Sequence, residues 1–426
     1  MKRQIISVLL CVGLFVFAGG QIAVAKEKLV MWDVMSANVV KDLIDSTVQA
    51  FNTANPEVEF VVEHIQNDPY KTKLKVAMGG GTPPDIFHNW GGGPLKEYID
   101  SGMVAPIDAI KADLLKTYIP AAFDPATFDG KTYGTPYTGL TGVYFFYRTD
   151  IFAKYNLTPP KTWQEFLDVG ETLKKNGIVP ITLGNKTKWP GSFYYMYLAD
   201  RAGGADMFLN ALYRKNTVTF EDPGYIKAGQ LVQELVKREF FPKGFNGMEE
   251  DVGQSRALIY TGKAAMFLMG NWFIGSANAE APDVLKDIDF FTFPAVEGGK
   301  GDPTNLIGSP GQNYLSIAST CKNKDLALKF LKEYIMSPSY IEFLVDKAGY
   351  VPPVKNSASY VKDPLMKKIA QTFEAAGHVQ VYYDQFMSPA MGEKHKDLVQ
   401  ALFGLTITPE EMAKGHEKAI LEELKK

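Results

Sequence analysis

Residues 28–87 alternate short apolar runs with helical repeats, and no other stretch restricts the fold as tightly. Lys28–Asp33 reads as a strand. Val40, Leu43, Ile44, Val48 and Phe51 then recur at helical spacing, and Asn55-Pro56 stops that helix. Val58–Ile65 is rich in β-branched residues that alternate with acids, so it reads as a second strand. Tyr70–Met78 is a second helix, closed by Gly79-Gly80-Gly81, and Asp85-Ile86-Phe87 is a third strand. A βαβαβ order builds a largely parallel sheet covered by helices. Ligands of such sheets bind at the loops after the carboxyl ends of the strands. Here those loops are 33–38, 66–69 and 88–93, all polar, aromatic or glycine-rich, so they are expected to form one wall of a cleft.

Upstream of this pattern lies a leader. Lys2 and Arg3 precede an apolar run from Ile5 to Ala18, and Ala23-Val24-Ala25 supplies a small-x-small cleavage site, so residues 1–25 read as a signal peptide and Lys26 as the first mature residue. The run is shorter than the roughly 20 residues a membrane-spanning helix needs. Cys11 follows the large Leu10 inside the apolar run, which does not fit a lipid-attachment site. The expectation is a periplasmic protein without a lipid anchor, and no later segment has the apolar length to span a membrane. Cys321 is then the single mature cysteine, so neither an internal disulfide nor a cysteine metal site is expected.

The remaining chain of about 400 residues is too long for one small core, and two lobes are expected. A formal charge of −3 before the leader's two cations are removed gives no electrostatic footprint for nucleic acid. The 21 tyrosines suit surfaces that meet half-polar ligands, since each carries an apolar ring and a polar tip.

Residues 162 to 285 read mainly as helices. Thr162 and Glu165 make a capping box for a helix through Lys175, and Ser255–Met269 reads as another helix. Asp289–Phe293 and Tyr314–Ala318 read as strands, Leu326–Ile335 and Ser339–Lys347 as helices. Thr408 and Glu411 form a second capping box around Pro409 for an amphipathic terminal helix. Strand signals on both sides of a helical middle point to two lobes that the chain visits more than once, with the crossings forming a hinge.

Several stretches in order along the chain resemble the extracellular solute-binding proteins of ABC importers, in the sugar-binding group (family 1) that includes the maltose-binding protein. They are Leu29–Asp33, Phe51-Asn52-x-x-Asn55-Pro56, Pro83–Phe87, Leu95–Val104, Gly130–Tyr137, Pro160–Phe166, and Gly262–Met266 with Gly270-Asn271-Trp272. The resemblance implies an α/β, two-lobe periplasmic-binding-protein (type II) fold with a ligand cleft between lobes joined by a multi-strand hinge. It implies one lobe from 26–137 plus 292–346 and the other from 138–291 plus 347–426. It also implies a monomer that captures a sugar, expected to be an oligosaccharide, and passes it to a membrane permease, with no cofactor, no metal and no catalytic residue. The run Val379–Lys396, with Tyr382-Tyr383-Asp384-Gln385, looks closer to the oligosaccharide branch than to the maltose-binding protein itself.

A sugar ring has an apolar C–H face and a rim of hydroxyls, so its site needs an aromatic platform with fixed donors and acceptors. Trp272 matches the family's stacking tryptophan, with Asn271 beside it. Trp189 follows a strand-like Ile181–Gly184, and Trp90 with Asn89 follows Asp85–Phe87. Asp33 either accepts from hydroxyls or caps the adjoining turn. Gln66 and Asn67 end the second strand. Tyr137 lies near the hinge, where it touches ligand or packs, and Tyr383 with Asp384 lies in the last segment. His88 and Trp163 read as structural.

Two rival readings stay open. The same fold can carry a non-sugar solute: a polyamine, an amino acid or an anion. Arg148, Arg201 and Arg256 fall outside the loops assigned to the cleft, which weakens the anion reading. A secreted glycoside hydrolase would need two carboxylates converging across the scissile bond. Gly253-Gln254-Ser255-Arg256-Ala257 is spaced like a nucleophile elbow, but no strand signal precedes it.

Overall fold

A computed structural model describes residues 26–36 and 39–425. The expected signal peptide and the end of the 33–38 loop lie outside the described residues. The alternation from residue 28 onward builds the first sheet as expected. Strand Glu27–Asp33 pairs in parallel with Val58–His64 on one side and with Ile86–Asn89 on the other. Its helices, Val39–Ala54 and Asn67–Gly79, cover the sheet with buried residues at helical spacing, among them Leu43, Ile44, Phe51, Tyr70 and Leu74. A distant strand, Tyr314–Ala318, then pairs antiparallel with Ile86–Asn89 and carries Val104–Ala105 and Thr135–Pro136 along its other edge.

The second sheet is centred on Thr141–Arg148. It pairs antiparallel with Ala264–Gly270 on one edge, and with Ile288–Phe291 and Leu306–Ser309 on the other. Val179–Thr182 and Val379–Gln380 complete the sheet. One of these strands departs from the helical reading of the middle. Residues 264–270 are a strand and not the end of a helix, and the helix there is only Arg256–Tyr260. Ala264–Gly270 is buried on both faces, so its side chains show the unbroken apolar run of a central strand and no period to separate it from a helix. Its partner Thr141–Arg148 is likewise buried along nearly its whole length. Both capping boxes form, at Thr162/Glu165 and Thr408/Glu411.

The chain passes between the sheets at 137–140, at 310–313 and again near 347–351, and the first crossing bonds to both of the others. Tyr137 N donates to Asn313 O (3.0 Å), Leu140 N to Val351 O (2.8 Å), and Asn313 Nδ2 to the Thr138 hydroxyl (2.9 Å). Leu306–Ser309 pairs into the second sheet, so segment 292–309, expected with the first lobe, joins the second.

Away from the hinge the lobes meet again. A Cβ built on Gly92 would lie 2.0 Å from Gln385 O, and one on Gly93 would lie 2.2 Å from Met387 O. The bare backbone of Gly92-Gly93 is thus in direct contact with the backbone of the other lobe, an approach that only glycine permits.

Trp163 is core, as its place in a capped helix predicts. It stacks near Phe166 and Phe293 and donates from Nε1 to Glu234 (3.1 Å). Ser255 is buried and bonded to Glu250 at the start of a short helix, with no strand ahead of it.

Candidate functional site

A cavity of about 690 Å³ lies between the two sheets and is lined from both lobes. The first lobe contributes the loops after its parallel strands, as the topology predicts: Val34 to Ser36, then Gln66 and Asn67, then Asn89 and Trp90. Gln66 sits at the N-cap position of helix Asn67–Gly79 without a side-chain capping bond, and Lys71 projects into the cavity one turn later. Asn89 is braced in place. Its Nδ2 donates to Ser316 Oγ (2.8 Å), and its Oδ1 accepts from Gly91 N (2.9 Å).

Trp90 is half-buried and held edge-on by His88 (ring centroids 4.4 Å) and Tyr70 (6.0 Å). The Lys71 ammonium lies 5.2 Å from the indole centroid. Beneath this platform His88 is fully buried with Nδ1 2.7 Å from the Tyr137 hydroxyl. Burial, with the Lys71 charge adding to it, pushes the His88 pKa down to about 3 and keeps the imidazole neutral. His88 is structural, as the sequence indicates.

The second lobe contributes two helix starts. Trp189 opens helix Trp189–Gly203, entered through Lys188 at a φ of 70°. Its Nε1 donates to Asp251 Oδ1 (3.1 Å). Trp272 opens helix Trp272–Glu280 one residue beyond strand Ala264–Gly270. The two indoles have centroids 6.2 Å apart with planes tilted by 56°, and Phe193 backs both. Asp384, Glu393 and Lys396 line the same cavity from the last segment.

Four of the residues expected at the site do not line the cavity. Asp33 is fully buried, and its Oδ1 accepts from Met35 N (2.9 Å) and binds His64 Nδ1 (2.7 Å), so it holds the turn after the first strand. Asn271 is fully buried. Its Oδ1 accepts from Gly142 N (3.0 Å), and its Nδ2 donates to Leu140 O (3.2 Å). Tyr137 packs under His88, and Tyr383 stacks on Phe208 (centroids 3.8 Å, planes 11° apart). In three of the four cases the neighbour along the chain lines the cavity instead: Val34, Trp272 and Asp384 beside Asp33, Asn271 and Tyr383.

Other lining residues carried no sequence signal. Lys71 and Lys396 reach the cavity from helix faces, Asp251 from a turn before helix Arg256–Tyr260, and Gln312 from a hinge crossing. The Gln312 amide is buried, and its Oε1 has no hydrogen-bond partner among the described residues. Arg256 also lines the cavity, contrary to its expected place outside the cleft. Its guanidinium is occupied, however, by Glu280 (2.7 and 2.6 Å) and Glu250 (3.0 Å). Burial raises the Glu250 pKa to about 8 against the opposing pull of Arg256. Burial also raises that of Asp251, with Asp68 across the cleft adding to it.

Among the described residues no group of three or more metal-ligating side chains converges, and no helix is long and apolar enough to cross a membrane. The cavity therefore offers indole faces, amides and charged groups that can hold a solute.

Comparison with known proteins agrees with this architecture. The chain is 27% identical over 382 residues to the maltotriose-binding protein of Pyrococcus abyssi, covering 86% of this chain and 74% of that one. It is 26% identical over 278 residues to an ABC transporter extracellular-binding protein of Pyrococcus horikoshii, covering 64% of this chain and 61% of that protein's length. Among solved structures, one from work on xylan utilization by the thermophilic bacterium Caldanaerobius polysaccharolyticus superposes with a TM-score of 0.83 at 32% identity, covering 92% of this chain and 99% of that one. The family model for bacterial extracellular solute-binding proteins matches residues 37–413, and the chain belongs to that family.

Proposed function

We propose that this protein captures a short oligosaccharide in the cleft between its lobes and delivers it to the permease of an ABC importer. One observation carries the reading: three indoles from two lobes, Trp90, Trp189 and Trp272, line one cavity together with amides and carboxylates. Indoles match the C–H faces of sugar rings, while Asn67, Asn89, Gln312, Asp251 and Asp384 offer partners for hydroxyls. The volume suits a ligand of several rings. The similarity to proteins described as maltotriose-binding and as part of xylan utilization supports a sugar as the cargo.

A polyamine fits less well, because Lys71 and Lys396 place two ammonium groups in the same cavity. A free anion fits less well because Arg256 is already paired with Glu250 and Glu280, and Asp251, Asp384 and Glu393 set carboxylates beside the two lysines. Binding would shift the population toward the form in which both lobes touch the ligand, by the difference in its affinity for open and closed states. The protein acts as an exported monomer, in a periplasm and without a lipid anchor. Energy for transport comes from the importer.

The test is a thermal-shift screen of the mature protein against malto-, xylo- and chito-oligosaccharides, amino acids and polyamines, followed by calorimetric titration. A ligand at 100 times its Kd stabilises the native state by about 2.7 kcal/mol. A selective shift with one sugar class is the expected result. A shift with only amino acids or polyamines would overturn the sugar assignment and keep the fold.

A further inference from the structure

Trp272 is the second residue after strand Ala264–Gly270, and its indole folds back over the strand it leaves. A Cβ built on Gly270 would lie 2.0 Å from Trp272 Cζ3, 2.2 Å from Cη2 and 2.3 Å from Cε3, and these are the three nearest atoms it would meet. The ring thus rests on the bare backbone of residue 270. Gly270 does not have a positive φ, so its conformation is one that alanine adopts freely. Glycine inside a strand lacks a side chain to pack and ordinarily weakens it. The closest obstacle to a side chain at this point is the indole two residues on.

The intervening residue fixes the step to the hinge. The Asn271 amide bonds both Leu140 O and Gly142 N, on either side of Thr141, where the first crossing enters the second sheet. Asn271 N also donates to Gly142 O (3.0 Å). The seat of Trp272 is therefore tied to the segment about which the lobes turn.

We propose that Gly270 is a positioning residue: by carrying no side chain it lets the Trp272 indole lie against the strand and sets the tilt at which it faces Trp189 and the ligand. Its link to ligand affinity rests on the sugar-binding reading, but the seating of the ring does not.

The test is a double-mutant cycle of Gly270→Ala and Trp272→Ala, read first without ligand. If the indole is what forbids a Cβ, Gly270→Ala lowers the melting temperature in the wild-type background and leaves it unchanged or raised in the Trp272→Ala background. Near-UV circular dichroism, to which the Trp189–Trp272 ring pair contributes, changes in Gly270→Ala while far-UV circular dichroism does not. Should Gly270→Ala fail to fold, the double variant folds. Equal loss of melting temperature in both backgrounds, an unchanged near-UV spectrum in Gly270→Ala, or failure of the double variant to fold while Trp272→Ala folds would each overturn the proposal. Once a sugar is identified, Gly270→Ala weakens it at least tenfold and adds no further loss to Trp272→Ala. If no sugar binds the wild type, the sugar reading fails while the ligand-free cycle still decides the role of Gly270.

Discussion

The contact between lobes at Gly92-Gly93 sets up a quantitative prediction for Gly93→Ala. A methyl group at 93 would stand 2.2 Å from Met387 O, 2.5 Å from Met387 C and 2.9 Å from Ser388 N. All three are backbone atoms of the other lobe, so no flexible side-chain end can swing aside. Relief requires either local backbone shifts or separation of the lobes. Overpacking of a tight contact costs typically about 1–3 kcal/mol. Neither lobe's own core includes this contact, so the penalty falls on the closed state alone. A penalty of that size moves a two-state equilibrium by roughly 5- to 150-fold, and ligand affinity weakens by the same factor if binding needs closure. Calorimetric titration with the cognate sugar measures the loss. Small-angle scattering of the ligand-saturated protein checks that closure is what changed, and the melting temperature of the ligand-free variant should stay near that of the wild type. Gly79→Ala is the control in the same lobe, because a Cβ there meets nothing within 4 Å. Wild-type affinity in Gly93→Ala would refute the reasoning, and so would an equal loss in Gly79→Ala.

Three further outcomes follow from the geometry. Trp272→Ala is expected to weaken sugar binding tenfold or more with melting temperature nearly unchanged; undiminished affinity in a titration would count against a stacking role. Trp163→Ala removes a buried indole that packs on Phe166 and Phe293, and the usual cost of such a truncation is about 3–5 kcal/mol; chemical denaturation should show this loss while affinity stays within a few-fold. His64 bridges Asp33 (2.7 Å) and Asp45 (3.0 Å). Desolvation pulls its pKa down, but the two carboxylates outweigh this and hold it above the ordinary 6.5. A raised histidine pKa means that the folded state binds more protons, so this stabilisation is full below 6.5 and fades as pH rises through the folded value. His64→Gln should flatten the fall in melting temperature over that window, and an identical pH profile in the variant would dismiss the link.

Features set by nearby residues were legible in the sequence. The capping boxes at Thr162/Glu165 and Thr408/Glu411 depend on contacts within one turn, and both form. The loops after the first three strands follow from topology, and Gln66, Asn67, Asn89 and Trp90 reach the cavity from them. Which of two adjacent side chains faces the cleft was not legible. Successive residues at the end of a strand or the start of a helix point in different directions, and so Trp272 lines the cavity while Asn271 bonds the hinge, and Asp384 lines it while Tyr383 joins the core. The helical reading of 255–269 failed because a strand buried on both faces has no period. Lys71, Asp251, Gln312 and Lys396 meet only when two lobes distant in sequence come together, and no local pattern encodes that.

The place of Tyr314–Ala318 also bears on how the chain acquires its shape. This strand fills the gap between Ile86–Asn89 and the short strands at Val104–Ala105 and Thr135–Pro136, more than 170 residues from each of its neighbours. The first sheet is therefore incomplete until three-quarters of the polypeptide has emerged, although it begins at residue 27. Pairings across such separations close large loops before they gain any contact energy, and they form slowly. A chain built in this way stays extended for longer during synthesis than one whose neighbouring strands follow one another in sequence. That delay favours a polypeptide that must pass a translocation channel before it folds.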